Sequence, residues 1–146
     1  MNKKILSYLL TAVFVVAAVG AVKTSEYSDN FKKIKYSVEE IDGTWKVVDE
    51  RKRPRPIEAK AKDDVEWKAE GSDLIFQFPA ELGPFLQVKE GEYDGDNFVA
   101  RVKDGKKLRL RLKNNAPVGE FTYSVYVKVA DDYAEGSSPP VIIIRN

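Results

Sequence analysis

KLRLRLKNNAPVGEFTYSVYVKV, residues 107–129, decides the fold. Leu108, Leu110 and Leu112 alternate with Arg109 and Arg111, so one strand face is apolar and the other cationic. Asn114 to Gly119 (NNAPVG) is a run of turn-forming residues. Phe121 to Val129 alternates again. Period two on both sides of a Gly/Pro loop reads as strand, loop, strand.

The same period extends outward. Tyr36 to Ile41 and Thr44 to Asp49 flank Asp42-Gly43, a pair that favours a two-residue hairpin. Ile57 to Ala61 alternates weakly, Val65 to Ala69 and Leu74 to Phe78 are apolar strands, and Phe98 to Val102 and Val141 to Ile144 complete the set. Glu81 to Asn97, with Gly83, Pro84, Gly91 and Gly95, is expected to be irregular. No amphipathic helix is predicted after residue 35. Roughly seven to nine short strands separated by turns make an all-β, two-sheet Greek-key sandwich over residues 36–146.

Before that domain the order is basic, apolar, polar. Lys3 and Lys4 precede Ile5 to Val22 (ILSYLLTAVFVVAAVGAV), and Lys23 to Lys35 is a polar tether. This is an export signal, read as an N-terminal apolar helix. Val19 and Ala21 suit cleavage after Ala21, and the run is also long enough for a membrane anchor, which needs roughly 17 to 25 residues. Residues 1–22 are thus a signal peptide or an anchor. The expected location is the periplasm or the outer face of the inner membrane, with membrane contact only through residues 5–22 if they stay uncleaved.

Of 146 residues none is histidine or cysteine, and Met1 is the only methionine. Removing residues 1–21 takes away only Lys3 and Lys4, so the net charge falls from +1 to −1. A near-neutral domain argues against nucleic acid as a partner. Without His or Cys the usual catalytic triads and dyads cannot form, and no carboxylate pair stands out, so the expectation is a protein that is not an enzyme and has no cofactor.

Asp63 to Asn146 resembles the cupredoxin superfamily. The resemblance rests on the turn before Val65-Glu66-Trp67, on Phe76-Gln77-Phe78-Pro79, on the basic-leucine strand Lys107 to Leu112, and above all on Ala116-Pro117-Val118-Gly119-Glu120-Phe121-Thr122-Tyr123. It implies a copper-binding sandwich whose last strand runs parallel to an early one. It also implies a thiolate ligand at Val125, an imidazole near Lys128, an axial ligand around Tyr133 to Gly136, and an early imidazole near Ser72 or Asp73. Type 1 copper needs thiolate and imidazole, and none of these residues supplies either. The resemblance therefore implies the scaffold without its metal, a binding or structural module.

Four other patches carry candidate chemistry. Glu90, Glu92, Asp94 and Asp96 alternate before Asn97, echoing the start of a calcium loop, although Arg101 stands where the bidentate Glu would be. The ordinary reading is a solvated acidic loop. Arg51-Lys52-Arg53-Pro54-Arg55 is the densest positive run, either a solubilising loop or a surface for anionic lipid, glycan or an acidic partner. Lys107, Arg109, Arg111 and Lys113 form a basic ladder whose acidic partners would be Glu66, Glu70 or Asp104. The loop Asp131 to Pro140 occupies the place of the copper loop, so Tyr133, Glu135 and Ser137, joined by Phe85, are the candidate contacts for an envelope protein or glycan, with Arg51 and Arg53. The sequence thus points to an exported, non-catalytic, copper-free module of the cell envelope. The alternatives are an Ig-like or adhesin-type interaction sandwich and a calcium-dependent binding module.

Overall fold

A computed structural model of the chain describes residues 31–136 and 139–146. The apolar run 5–22, residues 23–30 of the tether, and Ser137 lie outside the described residues.

The first sheet has the order β2-β1-β4-β9-β6, with β1 Lys33–Ile41, β2 Thr44–Asp49, β4 Asp64–Ala69, β6 Leu86–Glu90 and β9 Lys107–Leu112. The second has the order β12-β11-β5-β8-β7, with β5 Leu74–Gln77, β7 Glu92–Asp94, β8 Val99–Val102, β11 Ser124–Val127 and β12 Asp132–Tyr133. A third, three-stranded sheet has the order β10-β13-β3, with β3 Ile57–Lys60, β10 Gly119–Thr122 and β13 Val141–Arg145. Strands β10 and β11 are one run interrupted only at Tyr123.

Two pairings give the chain its topology. β1 lies parallel to β4, with Lys33 opposite Asp64 and Val38 opposite Ala69. β13 lies parallel to β3, with Ile142 opposite Ile57. A meander of hairpins contains no such pairs, and the parallel last strand is what the cupredoxin resemblance implies. The other close neighbours are antiparallel, including the β1–β2 hairpin, whose turn residues Asp42 and Gly43 both have positive φ (52° and 77°), as a twisted two-residue turn requires.

Alternation explains the packing. Val38, Val65, Trp67, Leu108 and Leu110 on the first sheet meet Phe76, Ala100, Val125 and Val127 on the second and Ile142 on the third in one buried cluster. Among the described residues this cluster forms the core of the compact unit Phe31–Asn146.

Three expectations need correction. β1 begins at Lys33, inside the expected tether, because Ile34 and Tyr36 extend the inward-facing row against the core. The segment 81–97 is not irregular: it holds a 3-10 turn at Gly83–Phe85, then β6 and β7. β6 is an edge strand whose residues after Leu86 are all exposed, and its only apolar residues, Leu86 and Val88, make an alternation too short to mark a strand. The long strand expected over 121–129 ends at Val127, where Lys128–Ala130 turns into a 3-10 segment and Asp131 adopts a left-handed φ of 49°.

The register defines two ends. At the entry end β1 and β4 start and β9 finishes, with Lys33, Asp64 and Arg111 abreast. At the far end lie Ala69–Asp73, the Asp104-Gly105 turn and residues 128–131, tied together by the hydrogen bonds described next.

Candidate functional site

The far end is where the resemblance places a metal. The structure does bring the expected positions together. Ser72 Oγ donates to the Asp73 carbonyl (2.8 Å) and accepts from the Val129 N–H (3.0 Å). The Lys128 N–H donates to the Asp73 carbonyl at 3.1 Å. Asp73 Oδ1 accepts the Asp104 N–H (2.9 Å), and Asp104 Oδ1 accepts the Gly71 N–H (2.8 Å). Short polar side chains thus lace three loops shut at this end. Val125 is fully buried and sits opposite Phe76 in the ladder. A type 1 copper centre does not fit these residues. The Ser72 hydroxyl is committed in both directions, Val125 is core, and no soft or imidazole donor replaces them.

Beyond Val127 the chain turns back through β12. Ala134 N–H donates to the Val125 carbonyl, Glu135 N–H to the Trp45 carbonyl, and Val47 N–H to the Glu135 carbonyl, each at 2.8 Å. Backbone at Glu135 therefore covers the free edge of β2, and this loop is structural as well as exposed. Tyr133 is 61% exposed, with its ring edge-on to Tyr126 at 5.6 Å. Tyr126 donates its hydroxyl to Asp131, and that hydrogen bond raises its pKa above the ordinary phenol value. Tyr133, Glu135, Asp132, Ser124 and Pro140 border an open cleft of about 600 Å³.

The other candidates lie elsewhere. Phe85 is half-buried beside the start of β6, where its carbonyl accepts the Lys113 N–H, and Leu86 faces Leu112 at the entry end. It therefore does not join Tyr133 and Glu135. Glu90 ends β6 in the first sheet, while Glu92 opens β7 in the second. Asp94 is occupied by the N–H groups of Asp96 (2.9 Å) and Asn97 (3.2 Å) and by Asn97 Nδ2 (2.8 Å). No group of three or more acids able to hold a metal ion is gathered among the described residues. Arg53 is tied to Asp49 through Nε (3.0 Å) and a second guanidinium nitrogen (2.9 Å), while Arg51 is exposed.

The basic ladder finds its acids across β4. Rows run Lys33–Asp64–Arg111–Gln87 and Lys35–Glu66–Arg109–Glu90 over four strands. Arg111 grips Asp64 with two nitrogens, at 2.6 and 3.1 Å, and lies 4.4 Å from the Phe31 ring centre. Glu66, only 3% exposed, meets Lys33 at 2.7 Å and Lys107 at 3.6 Å. Of the expected partners Glu66 serves, whereas Glu70 pairs with Lys68 and Asp104 caps Gly71. Asp64 escaped the sequence reading because it looked like a turn residue.

Burial pushes the Glu66 carboxyl upward, but the Lys33 and Lys107 ammonium groups outweigh it and hold its pKa below the ordinary glutamate value. The ionised form is thus the one the fold favours. Its contribution is present above the unfolded-state pKa and is lost as pH falls through the lower folded value. Glu66→Gln should therefore flatten the loss of urea stability between neutral and acid pH. An identical pH slope in the variant would show that the carboxylate is not the linked group.

No family model and no curated protein matches the chain. Solved structures do resemble it. An oxidized amicyanin variant aligns with TM-score 0.42 and 11% identity, covering 83% of this chain and 88% of that one. A multicopper oxidase from the hyperthermophile Aquifex aeolicus aligns with TM-score 0.49 and 12% identity, covering 82% of this chain and 30% of that one. At TM-scores under 0.5 the likeness carries no argument, and the topology rests on the two parallel strand pairs.

Proposed function

We propose that this chain is an exported, non-catalytic domain of the cell envelope, a cupredoxin-like sandwich that binds a partner rather than copper. The supporting observation is the lacing of Ser72, Asp73, Asp104, Lys128 and Val129 at the far end, which puts a hydrogen-bonded closure where a ligand set would stand. The basic–apolar–polar order of residues 1–35 supports export. The exposed Tyr133 and Glu135, held on the edge of β2 by the backbone of Glu135, are the contacts favoured for an envelope protein or glycan. The parallel last strand favours this reading over an Ig-like sandwich built from hairpins alone.

Two measurements test it. A fragment of residues 23–146 should melt at the same temperature with and without excess copper, zinc or calcium, since a ligand specific for the native state must raise it. A rise with copper overturns the copper-free reading, and a rise with calcium promotes the acidic-loop alternative. The full chain should fractionate with the envelope, and recovery in the cytosol would overturn export.

A further inference from the structure

Charge is unevenly placed on this near-neutral domain. The loop 50–56 crosses from the edge of β2 to β3 on the flank where β1 enters. Pro56 accepts the Tyr36 hydroxyl at 3.1 Å, which holds that loop beside the start of β1. Lys60 lies one turn from Asp63, whose carboxylate accepts both the Lys60 N–H (2.9 Å) and the Lys32 N–H (3.1 Å). Lys32, Lys35, Arg51, Arg55, Lys60 and Lys62 are all exposed there. The acids of the same flank are mostly turned inward. Asp63 and Asp64 are 7% exposed and Glu66 is 3%, and Asp49 accepts the N–H groups of Arg51 and Arg53. Only Glu50 and Glu58 stand exposed among the described acids of this flank, and Glu58 pairs with Arg145. The far end is mixed in sign, with Asp42, Asp73, Asp104, Asp131 and Asp132 beside the exposed Lys103, Lys106 and Lys128 around the laced loops and β12.

The cationic flank is also where the chain arrives. Residues 23–30 separate the apolar run from Phe31, and even fully extended they reach under about 30 Å. A retained apolar run would keep the domain within that distance of the bilayer, where a polybasic surface is attracted to anionic headgroups. We propose that the flank formed by the start of β1, the 51–55 loop and the end of β3 rests on anionic phospholipid headgroups, holding the domain with its far end and the Tyr133 loop directed away from the membrane. This rests on the envelope reading and adds its orientation and lipid class.

The test is co-sedimentation of residues 23–146, which lack the apolar run, with vesicles. Binding is expected to phosphatidylcholine vesicles containing about a third phosphatidylglycerol, absent from pure phosphatidylcholine, and released near 1 M salt, where screening lengths fall to about 3 Å. The double variant Arg51→Glu, Arg55→Glu should bind at least about twenty-fold more weakly, from roughly five-fold per basic side chain. Lys103→Glu, Lys106→Glu at the far end should bind like the parent. Melting curves confirm that both variants are folded. No binding to anionic vesicles, equal loss in the two double variants, or retention on dextran sulfate without vesicle binding each overturns the proposal. Cytosolic recovery of the full chain would instead defeat the envelope reading, so the two failures are separable.

Discussion

Trp67→Ala should lower the folding free energy by about 4 kcal/mol, a large part of the roughly 5–15 kcal/mol that holds a domain of this kind together. Trp67 lies on the central strand β4, is 1% exposed, and packs against Phe76 (5.4 Å between ring centres), Phe78 (5.8 Å) and Tyr123 (5.7 Å). Its neighbours are themselves stacked: Phe76 on Phe78, and Phe78 on Tyr123. Truncation therefore opens a cavity walled by rings that cannot collapse without losing one another. The indole also donates Nε1–H to the Tyr123 hydroxyl at 3.1 Å, in a place where Tyr123 is 3% exposed. Trp67→Phe keeps most of the volume but leaves that hydroxyl without its donor, for about 1–3 kcal/mol. Adding Tyr123→Phe should recover part of this loss, because both members of the polar pair are then gone. Chemical denaturation of the two single variants and the double variant measures the coupling. Strict additivity would mean that the hydrogen bond contributes nothing.

Those rings were legible in the sequence because Trp67 falls on an alternating strand and Phe76 and Phe78 on a strongly apolar one. Trp67, Phe76 and Phe78 were readable as core, as were the leucines of β9. The last strand's parallel pairing was readable only through resemblance, since alternation says which face a residue occupies and not which strand lies beside it. β6 and β7 were not readable. Gln87, Lys89 and Glu90 are the ordinary residues of an exposed edge, and the crossing from one sheet to the other at Gly91 leaves no periodic mark. The candidate site divides in the same way. That Ser72–Asp73 and Lys128 belong together followed from the resemblance, and the structure joins them by hydrogen bonds. That Phe85 stands at the entry end, away from Tyr133, is a fact of strand register that loop composition does not encode. The inward turn of Asp63 and Asp64, which leaves one flank cationic on a chain of net charge +1, is equally invisible to a charge count.

Gly83→Ala should lower stability by about 3 kcal/mol, the upper part of the usual range for overpacking. Sequence suggests a plain loop glycine, but a Cβ at this position would fall 2.2 Å from two ring carbons of Phe98 and 2.8 Å from its Cβ. Neither partner is free to withdraw. Gly83 donates its N–H to the Pro79 carbonyl (2.8 Å) and accepts the Tyr93 hydroxyl on its own carbonyl (2.7 Å). Tyr93 is itself held in a desolvated position, which pushes its pKa to about 12. Phe98 has φ of 59°, left-handed backbone that an aromatic residue rarely adopts, and its carbonyl accepts the Phe78 N–H at 2.9 Å. The close approach of Gly83 is thus what allows the Phe98 ring to pack under the 3-10 turn, in exchange for a strained backbone. Phe98→Gly removes both the ring and the strain. In that background Gly83→Ala should cost under about 1 kcal/mol, so a double-mutant cycle should show a coupling of roughly 2 kcal/mol. An equal penalty for Gly83→Ala in both backgrounds would place the constraint in the turn itself and not in the Phe98 contact.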